Sequence, residues 1–523
     1  MNENIIVPGV NGRMKAPDGS THHNRLRWWS VALGSVAIVF TGVVLSVTDA
    51  EAIPAFARKY DMECSHCHSM VPRLNPVGTF FHDNLSFKGI GNRLPESLEA
   101  NVRSEDPEDL HPAYWPVSFR VEGGYQFDRA DNQLTDISGS TTQLATVTTN
   151  TFVLTQLELM AGGLITPGIS FYLTYFPEAI NIGLPGQPPL HQHPGAEAGV
   201  GQTGAVGYAW VRFADIFGQM DDSDDHADAD EHGHDHAAED QPPAEHAHHH
   251  GFDVLFGAHE LELAVSGHER LTNAPYEIYR YNPQGHQTEF TLDSPQLGLE
   301  IDAGTPWFGY AISVYNGPSS SADDNRIPDV FGHLTFERGD DRWGFFTVYG
   351  TTPTENVSAT SVPGTGNDNK PYMRIGTDNS LYFGPMNLLL TYLYGQDDAD
   401  LFANPVSNPF GSPVQDAKFH GGFIEADYMI ESVRTMLMAR YDRIRNIQQG
   451  ITTIDKDRNN LDAFTIALRR DLALTSRMNL QLHIEANSTI SHGVTAPGQE
   501  VQTLTDDTRV IANTIYAGLD FAF

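Results

Sequence analysis

Cysteine is nearly absent from this chain of 523 residues, which contains only two. They lie close together, at Cys64 and Cys67, so no further thiols remain to complete a four-cysteine zinc cage. Basic residues are also scarce: 31 lysines and arginines stand against 67 aspartates and glutamates, and the net charge is −36. This balance argues against nucleic acid as a partner, because the phosphate backbone would be repelled. It is typical of a well-solvated surface or of one that meets cations.

Long apolar runs are scarce too, and the one that stands out is Trp28 to Val47. Arg25 and Arg27 precede it, and Ala50-Glu51-Ala52 follows it as a small-x-small site. This order predicts an export signal over residues 1–52 that is removed after export. The run approaches the roughly 20 residues of a spanning helix, so an uncleaved anchor is the alternative. Under either interpretation, the chain is expected to be exported to the periplasm.

The two cysteines belong to the pentapeptide Cys64-Ser65-His66-Cys67-His68. Two thiols that flank two residues, with a histidine directly after them, form the attachment pattern of c-type haem. Each thiol would form a thioether to a vinyl group, and the imidazole of His68 would bind the iron. A redox dithiol is the alternative, but no βαβ pattern follows the motif. The sequence therefore predicts one covalently bound haem c, held by Cys64 and Cys67.

A second axial ligand has four candidates near the motif. His66 lies inside the attachment loop, and Met62 and Met70 lie so near it that reaching the opposite haem face would strain the chain. His82 follows His68 by fourteen positions, which is far enough for the chain to fold over the ring. We therefore favour His82, with water or methionine as the alternative. The choice sets the redox potential, which methionine raises relative to a second histidine.

Residues 53–116 are expected to form the haem domain. Pro72 and Pro76 interrupt helices, so short helical turns around the porphyrin are expected. A segment of this size buries little apolar surface unaided, and the haem would supply the rest.

The hydropathy pattern of the sequence changes at Val117, where apolar and polar residues begin to alternate. Val117, Phe119 and Val121 are separated by Ser118 and Arg120, a period of two that indicates a strand with one apolar face. The pattern recurs to the end of the chain and yields about sixteen strands. We therefore predict a mainly β fold: a transmembrane antiparallel β-barrel over 117–523 in the bacterial outer membrane, with lipid as its surroundings. A soluble β-sandwich is the alternative.

Connection lengths favour the barrel, because they alternate between short and long. Tight turns are expected near Pro167, Pro306, Gly339, Pro385 and Glu431, and long polar stretches at 128–150, 179–203, 266–290, 353–370, 397–417 and 490–508. Short turns at one end and long loops at the other describe outer-membrane barrels. A barrel of this size is expected to enclose an aqueous lumen, and residues 53–116 are about the size of a plug for it.

An acidic, histidine-rich insert occupies residues 221–250. Its eight histidines stand among many carboxylates, a composition that binds divalent transition metals. An acidic, disordered turn with incidental affinity is the alternative. Since an even barrel returns both ends to the periplasm, counting strands places this fourth connection on the periplasmic side.

The haem segment resembles a known family through Ile53-Pro54-Ala55-Phe56-Ala57-Arg58, the Cys64-x-x-Cys67-His68 motif and Pro72-x-Leu74-x-Pro76-x-Gly78. It is similar to the fused monohaem cytochrome–porins of the outer membrane, which join a haem plug to a barrel. The resemblance implies that Cys64 and Cys67 carry the haem and that His68 is an axial ligand. The chain departs from the family at Val77 and Phe80, where iron-oxidising relatives tend to offer methionine.

The resemblance also implies a function: electron transfer from an extracellular donor, with Fe(II) as the leading hypothesis, to periplasmic c-type cytochromes. Two alternatives remain. One is a porin for ions or small solutes whose haem is structural or sensory, and the other is electron export to extracellular acceptors. We find no G-x-S-x-G, P-loop or dinucleotide fingerprint that would indicate another chemistry.

Overall fold

The computed structural model describes residues 63–84, 117–136, 142–166, 168–176, 205–214, 216, 252–267, 269–283, 290–305, 307–317, 327–353, 369–403, 408, 411–474, 478–492 and 509–523. All of them belong to one compact unit, Ile53–Phe523. The predicted export signal over 1–52, the insert over 221–250 and Met62 lie outside the described residues.

The N-terminal described segment is short and irregular. A 3₁₀ turn, Cys64–His66, leads into two short paired strands, β1 (His68–Met70) and β2 (Arg73–Leu74), and then into helix α1 (Pro76–Asn84). Pro76 occupies the first helical position, where its missing N–H costs nothing. Short helical turns were predicted here, and they are present together with a small hairpin. Among the described residues, no helix is long and apolar enough to cross a bilayer.

Sixteen antiparallel strands of the described chain close into one barrel. They are β3 (Val117–Asp136), β4 (Thr142–Thr166), β5 (Ile169–Phe176), β6 (Ala205–Phe213), β7 (Asp253–His259), β8 (Gln296–Thr305), β9 (Phe308–Tyr315), β10 (Asp329–Arg338), β11 (Asp341–Pro353), β12 (Asn369–Phe383), β13 (Met386–Asp397), β14 (Ala417–Ile430), β15 (Thr435–Gln448), β16 (Leu461–Leu474), β17 (Asn479–His492) and β18 (Arg509–Ala522). The last strand closes the barrel on the first, and Phe523 exchanges two backbone hydrogen bonds with Phe119. The predicted fold class and strand number are confirmed.

The period-two pattern of the sequence is realised as an outward and an inward face. Large apolar side chains on the outward face are exposed, including Phe256, Phe345 and Ile466. The inward face carries buried charges as well as apolar side chains, among them Glu425 and Arg440. Apolar outside and polar inside is the arrangement of a barrel surrounded by lipid.

The prediction of an aqueous lumen is wrong for a large part of the barrel. The connection between β7 and β8, predicted as a long polar loop, folds into the interior and packs against the wall. Tyr276 of this connection stacks on Phe423 of β14 with ring centroids 4.2 Å apart. Around this contact lies an apolar core that includes Leu261, Leu263, Val265, Ile278, Tyr279, Phe290, Leu292, Tyr315, Phe331, Phe346, Tyr372, Leu401, Phe402 and Phe419. We name the described residues between 260 and 295 the inner loop.

Candidate cofactor site in the barrel lumen

The two thiols are brought together by a single 3₁₀ turn. Cys67 N donates to Cys64 O at 3.2 Å, which closes the Cys-x-x-Cys loop on itself. Both cysteines are free thiols, with Cys64 buried and Cys67 half-buried. Burial raises the pKa of each thiol to about 12, with the Asp471 carboxylate adding to the effect at Cys64. In the chain without a thioether, both sulfurs are therefore protonated at neutral pH.

The imidazole of His68 is held in one tautomer. Its Nδ1 lies 3.0 Å from Pro72 O, and since a carbonyl only accepts, Nδ1 carries the proton. The lone pair is then on Nε2. Burial lowers the pKa of His68 to about 4, so the ring is neutral at physiological pH. A neutral imidazole whose second nitrogen is held by a backbone carbonyl is the form that binds metals.

Asn75 and Gly78 join the motif to helix α1. Asn75 Oδ1 accepts from Gly78 N at 2.9 Å, which caps the helix, while Asn75 Nδ2 donates to His66 O at 3.0 Å. A Cβ on Gly78 would lie 1.9 Å from Cys67 O, so only glycine allows the helix to approach the attachment loop this closely. The Asn-Pro pair at positions 75 and 76 was the sequence signal for this cap, and our sequence analysis did not use it.

The segment lies inside the barrel and is bound both to the wall and to the inner loop. Arg73 Nη2 donates to Glu425 Oε1 of β14 at 2.5 Å and to Tyr276 Oη of the inner loop at 3.2 Å. Leu74 N donates to Glu269 Oε2 at 3.2 Å. The segment over residues 63–84 therefore occupies the lumen, and we name it the plug.

A cavity of about 330 Å³ lies between the plug and the barrel wall. The plug contributes Cys64, Cys67, His68 and His82 among others, and the rest of the lining comes from strands β3–β8, β11, β17 and β18 and from the inner loop. Much of that lining is apolar, including Val71, Leu74, Phe81, Trp210, Leu255, Leu261 and Leu263. Its volume falls within the range of about 300–1,000 Å³ for ligand pockets.

The cavity lies at the end of the barrel that carries the short turns. Gly162 and Tyr172 flank the turn at Gly168, and Arg342 follows the turn at Gly339. The apolar core around the inner loop extends toward the other end, where the long connections lie. The insert over 221–250 joins β6 and β7, which makes it the fourth connection of the barrel, as the strand count predicted.

All four residues predicted to hold the cofactor line this one cavity, and their assignment as ligands stays a prediction. His82 lies in the last turn of α1, where it is exposed and lines the cavity. Two of the alternatives are engaged elsewhere. Met70 is buried against Leu271 and Met436, and His66 Nδ1 lies 3.1 Å from Glu63 O.

The donor set fits a covalently attached haem. It combines two sulfurs for thioethers, a neutral imidazole with a free Nε2 lone pair, and an apolar lining for the ring. Charged pairs border the cavity: Arg120 binds Asp520 at 2.6 Å, and Arg212 binds Asp302 at 2.5 Å. Sequence analysis missed the contributions of the wall, because the wall residues lie up to several hundred positions from the motif.

Comparisons with known proteins are weak. No family model and no curated protein matches the chain. Among solved structures, an anion-selective porin from Comamonas acidovorans is 12% identical, with 78% of this chain and 99% of that chain covered and a TM-score of 0.42.

Two further solved structures are similar to the chain at the same level. The outer membrane channel DcaP of Acinetobacter baumannii is 10% identical, with 78% and 96% covered and a TM-score of 0.44. OprB of Pseudomonas putida is 11% identical, with 78% and 94% covered and a TM-score of 0.40. At these values the barrel assignment stands on the observed strand pairing of this chain.

Proposed function

We propose that this protein is an outer-membrane electron-transfer protein that carries one c-type haem inside its barrel. It would take electrons from an extracellular donor, Fe(II), and pass them to a periplasmic c-type cytochrome. The observation that carries the proposal is the position of the Cys64-x-x-Cys67-His68 motif. The motif lines a cavity inside the barrel, and wall strands complete that cavity.

Location in the outer membrane is supported by the barrel itself. The number of strands is even and the strands are antiparallel, as bacterial outer-membrane barrels require. The outward face exposes large apolar side chains, such as Phe152 and Phe345, whose contact with water is unfavourable. Lipid would cover this surface.

In the proposed reaction, each Fe(II) is oxidised to Fe(III) and releases one electron, which reduces one periplasmic cytochrome. A bound haem c would supply the one-electron redox centre between them. Cys64 and Cys67 would hold it through thioethers, and His68 would offer Nε2 to its iron.

The interior between the cavity and the long connections is packed, which favours electron transfer over solute flow. Arg73 of the plug contacts Tyr276, and Tyr276 stacks on Phe423. Tyr279 packs edge-on to Phe423, with centroids 5.7 Å apart. Electronic coupling decays less steeply through packed, bonded matter than across an empty gap. The same packing narrows the channel that a porin for ions or small solutes would need. It does not distinguish electron uptake from electron export, because both would use the same contacts in opposite directions.

The test uses the full-length protein, purified in detergent after expression with a cytochrome c maturation system. Covalent haem is measured by denaturing electrophoresis with haem staining, and its oxidation state is followed by absorbance on anaerobic mixing with Fe(II). We expect one haem per chain and its reduction by Fe(II), with reoxidation by an oxidised c-type cytochrome. The double variant Cys64→Ser, Cys67→Ser is the control and should lose the haem while the barrel stays heat-modifiable. A wild-type protein without covalent haem, or with haem that neither reaction alters, would refute the proposal.

A further inference from the structure

A third histidine lines the cavity, and it comes from the barrel wall. His259 is the last residue of β7, faces the lumen and is 2% exposed. Of the described residues around the cavity, the histidines are His68 and His82 of the plug and His259 of the wall. Sequence analysis did not select His259, since it follows the motif by almost two hundred positions.

The ring of His259 is oriented by one nitrogen and leaves the other without a hydrogen bond. Nδ1 lies 3.1 Å from Gly257 O, and because a carbonyl only accepts, Nδ1 carries the proton. Nε2 is buried and has no hydrogen-bond partner. Glu300 Oε2 lies 3.7 Å from Nε2, beyond hydrogen-bond distance. Glu300 Oε2 instead accepts from Ser313 Oγ at 2.5 Å.

The carbonyl that orients His259 depends on an unusual backbone conformation. Gly257 has a φ of +135°, which L side chains rarely adopt. A Cβ at this position would also lie 2.1 Å from Ala209 O of the neighbouring strand β6. A buried acceptor nitrogen without a partner costs free energy, so its retention calls for an explanation. Binding of the free nitrogen to a metal centre would remove this cost.

His68 and His259 share the same arrangement: Nδ1 is held by a backbone carbonyl two or four positions away, and Nε2 is left with its lone pair. We propose that His259 is the second histidine ligand of the haem iron, in place of His82. This inference rests on the proposed function, because it requires a haem in the cavity. The haem iron would then bind one residue of the plug, His68, and one residue of the wall, His259. His82, by contrast, is exposed and belongs to the same short segment as His68.

The test compares His259→Ala, His259→Met and His82→Ala with the wild-type haem protein in detergent. Readouts are the ferric absorption spectrum, the electron paramagnetic resonance spectrum and the midpoint potential. Barrel folding is checked by heat-modifiable migration. We expect a low-spin wild-type haem and a largely high-spin His259→Ala haem that returns to low spin when imidazole is added. His82→Ala should match the wild type.

The methionine variant gives a signal that simple loss of folding cannot produce. If residue 259 reaches the iron, His259→Met should show a methionine–iron charge-transfer band in the far red and a higher potential than the wild type. Unchanged spectra and potential in both His259 variants would overturn the assignment, as would a high-spin wild-type haem. If only the His82→Ala variant lost the low-spin state, His82 of the plug would be the second ligand. Complete absence of covalent haem from the wild type would instead refute the proposed function itself.

Discussion

Arg73 of the plug and Glu425 of β14 form a buried ion pair across 352 positions of sequence, with Nη2 and Oε1 2.5 Å apart. Their side chains are 4% and 0% exposed. Asp427 lies 3.5 Å from the same guanidinium nitrogen, and Tyr276 accepts a further hydrogen bond from it. Because these partners come from the wall and from the inner loop, one arginine fixes the plug to both.

Replacing Arg73 by methionine should loosen the plug. Removing one partner of a buried ion pair costs about 3 kcal/mol. Here Asp427 would lose the Arg73 guanidinium, and the cationic partner left to Glu425 would be Arg440, which is 3.5 Å away. A change of that size raises the undocked population about a hundredfold. The measurement is the rate at which a protease cleaves residues 63–84 of the folded protein in detergent, since cleavage of a transiently open segment follows its population.

An exposed ion pair provides the matched control for Arg73. Arg129 binds Asp131 at 3.2 Å, and the two side chains are 55% and 31% exposed. Arg129→Met should cost at most about 1 kcal/mol, because solvent screens such pairs. Equal cleavage rates in Arg73→Met and Arg129→Met would show that the pair with Glu425 does not hold the plug.

Helix α1 should be displaced by a single methyl group at Gly78. A Cβ there would meet the backbone of Cys67, which has no freedom to move away, so Gly78→Ala should cost about 1–3 kcal/mol. Covalent haem content is expected to remain, while cleavage of the plug should accelerate. Gly332→Ala is the control, because a Cβ at position 332 meets only a methyl group at 3.6 Å. If the plug of the Gly78→Ala variant resisted proteolysis as well as that of the wild type, helix α1 would tolerate the added methyl group.

The strand pattern was predictable from the sequence, and the plug contacts were not. A two-residue period needs only local residues, so Val117 to Phe523 could be interpreted as strands of one closed sheet. The Cys64–His68 motif is equally local. The ion pair of Arg73 with Glu425 joins residues whose neighbourhood arises only when the barrel closes, and no local pattern marks either residue.

The inner loop shows a different limit of sequence reasoning. Its many polar residues suggested a solvent-exposed connection, yet Arg270 and Arg280 both have hydrogen-bond partners inside the lumen. Arg280 Nε donates to Asp293 Oδ2 at 2.7 Å, and Arg270 Nε donates to Thr272 O at 2.8 Å. Apolar residues of the same loop, such as Tyr276, then pack on the wall. Polar composition indicates exposure only where no internal partners exist, and here the partners, Asp293 and Thr272, belong to the inner loop itself.

Stability of the inner loop should depend on pH through Glu277. Burial, reinforced by the Asp442 carboxylate, raises the pKa of Glu277 to about 7. The unfolded chain binds this proton less tightly, so stability should fall as pH rises from about 4.5 to 7. Glu277→Gln removes the penalty, which is on the order of 3 kcal/mol since one pKa unit corresponds to about 1.36 kcal/mol.

The Glu277→Gln effect is measured as the difference in melting temperature from the wild type, followed by near-ultraviolet circular dichroism in one detergent. We expect the variant to melt higher at pH 8 and close to the wild type at pH 4.5. Glu431→Gln, which changes an exposed carboxyl, is the control and should shift neither value. The opposite order, with a gain at pH 4.5 alone, would contradict the assigned pKa direction.

The free-energy cost of placing a charge on the outward face should depend on the depth of the residue in the bilayer. Ile466 lies near the middle of β16 and is 62% exposed, whereas Leu472 lies near its end and is 47% exposed. Ile466→Lys should cost about 2–4 kcal/mol in a bilayer, and Leu472→Lys about 0–1 kcal/mol, because lysine near the interface reaches water. The measurement is urea-dependent folding into lipid vesicles. Equal costs at both positions would argue against a bilayer around this face.

Deleting residues 221–250 should leave the electron-transfer site intact and remove metal binding. The insert joins β6 to β7, two strands that already pair between Ala209 and Phe213, so a short turn can replace it. Its eight histidines and many carboxylates are suited to Zn²⁺ or Ni²⁺, while the cavity residues lie outside it. The deleted protein should therefore keep the wild-type haem spectrum and its rate of reduction by Fe(II), but bind less Zn²⁺ in calorimetry. A control in which the eight histidines alone become serine should lose Zn²⁺ equally. If the deletion slowed reduction by Fe(II) tenfold or more, the insert would have to be counted as part of the electron path.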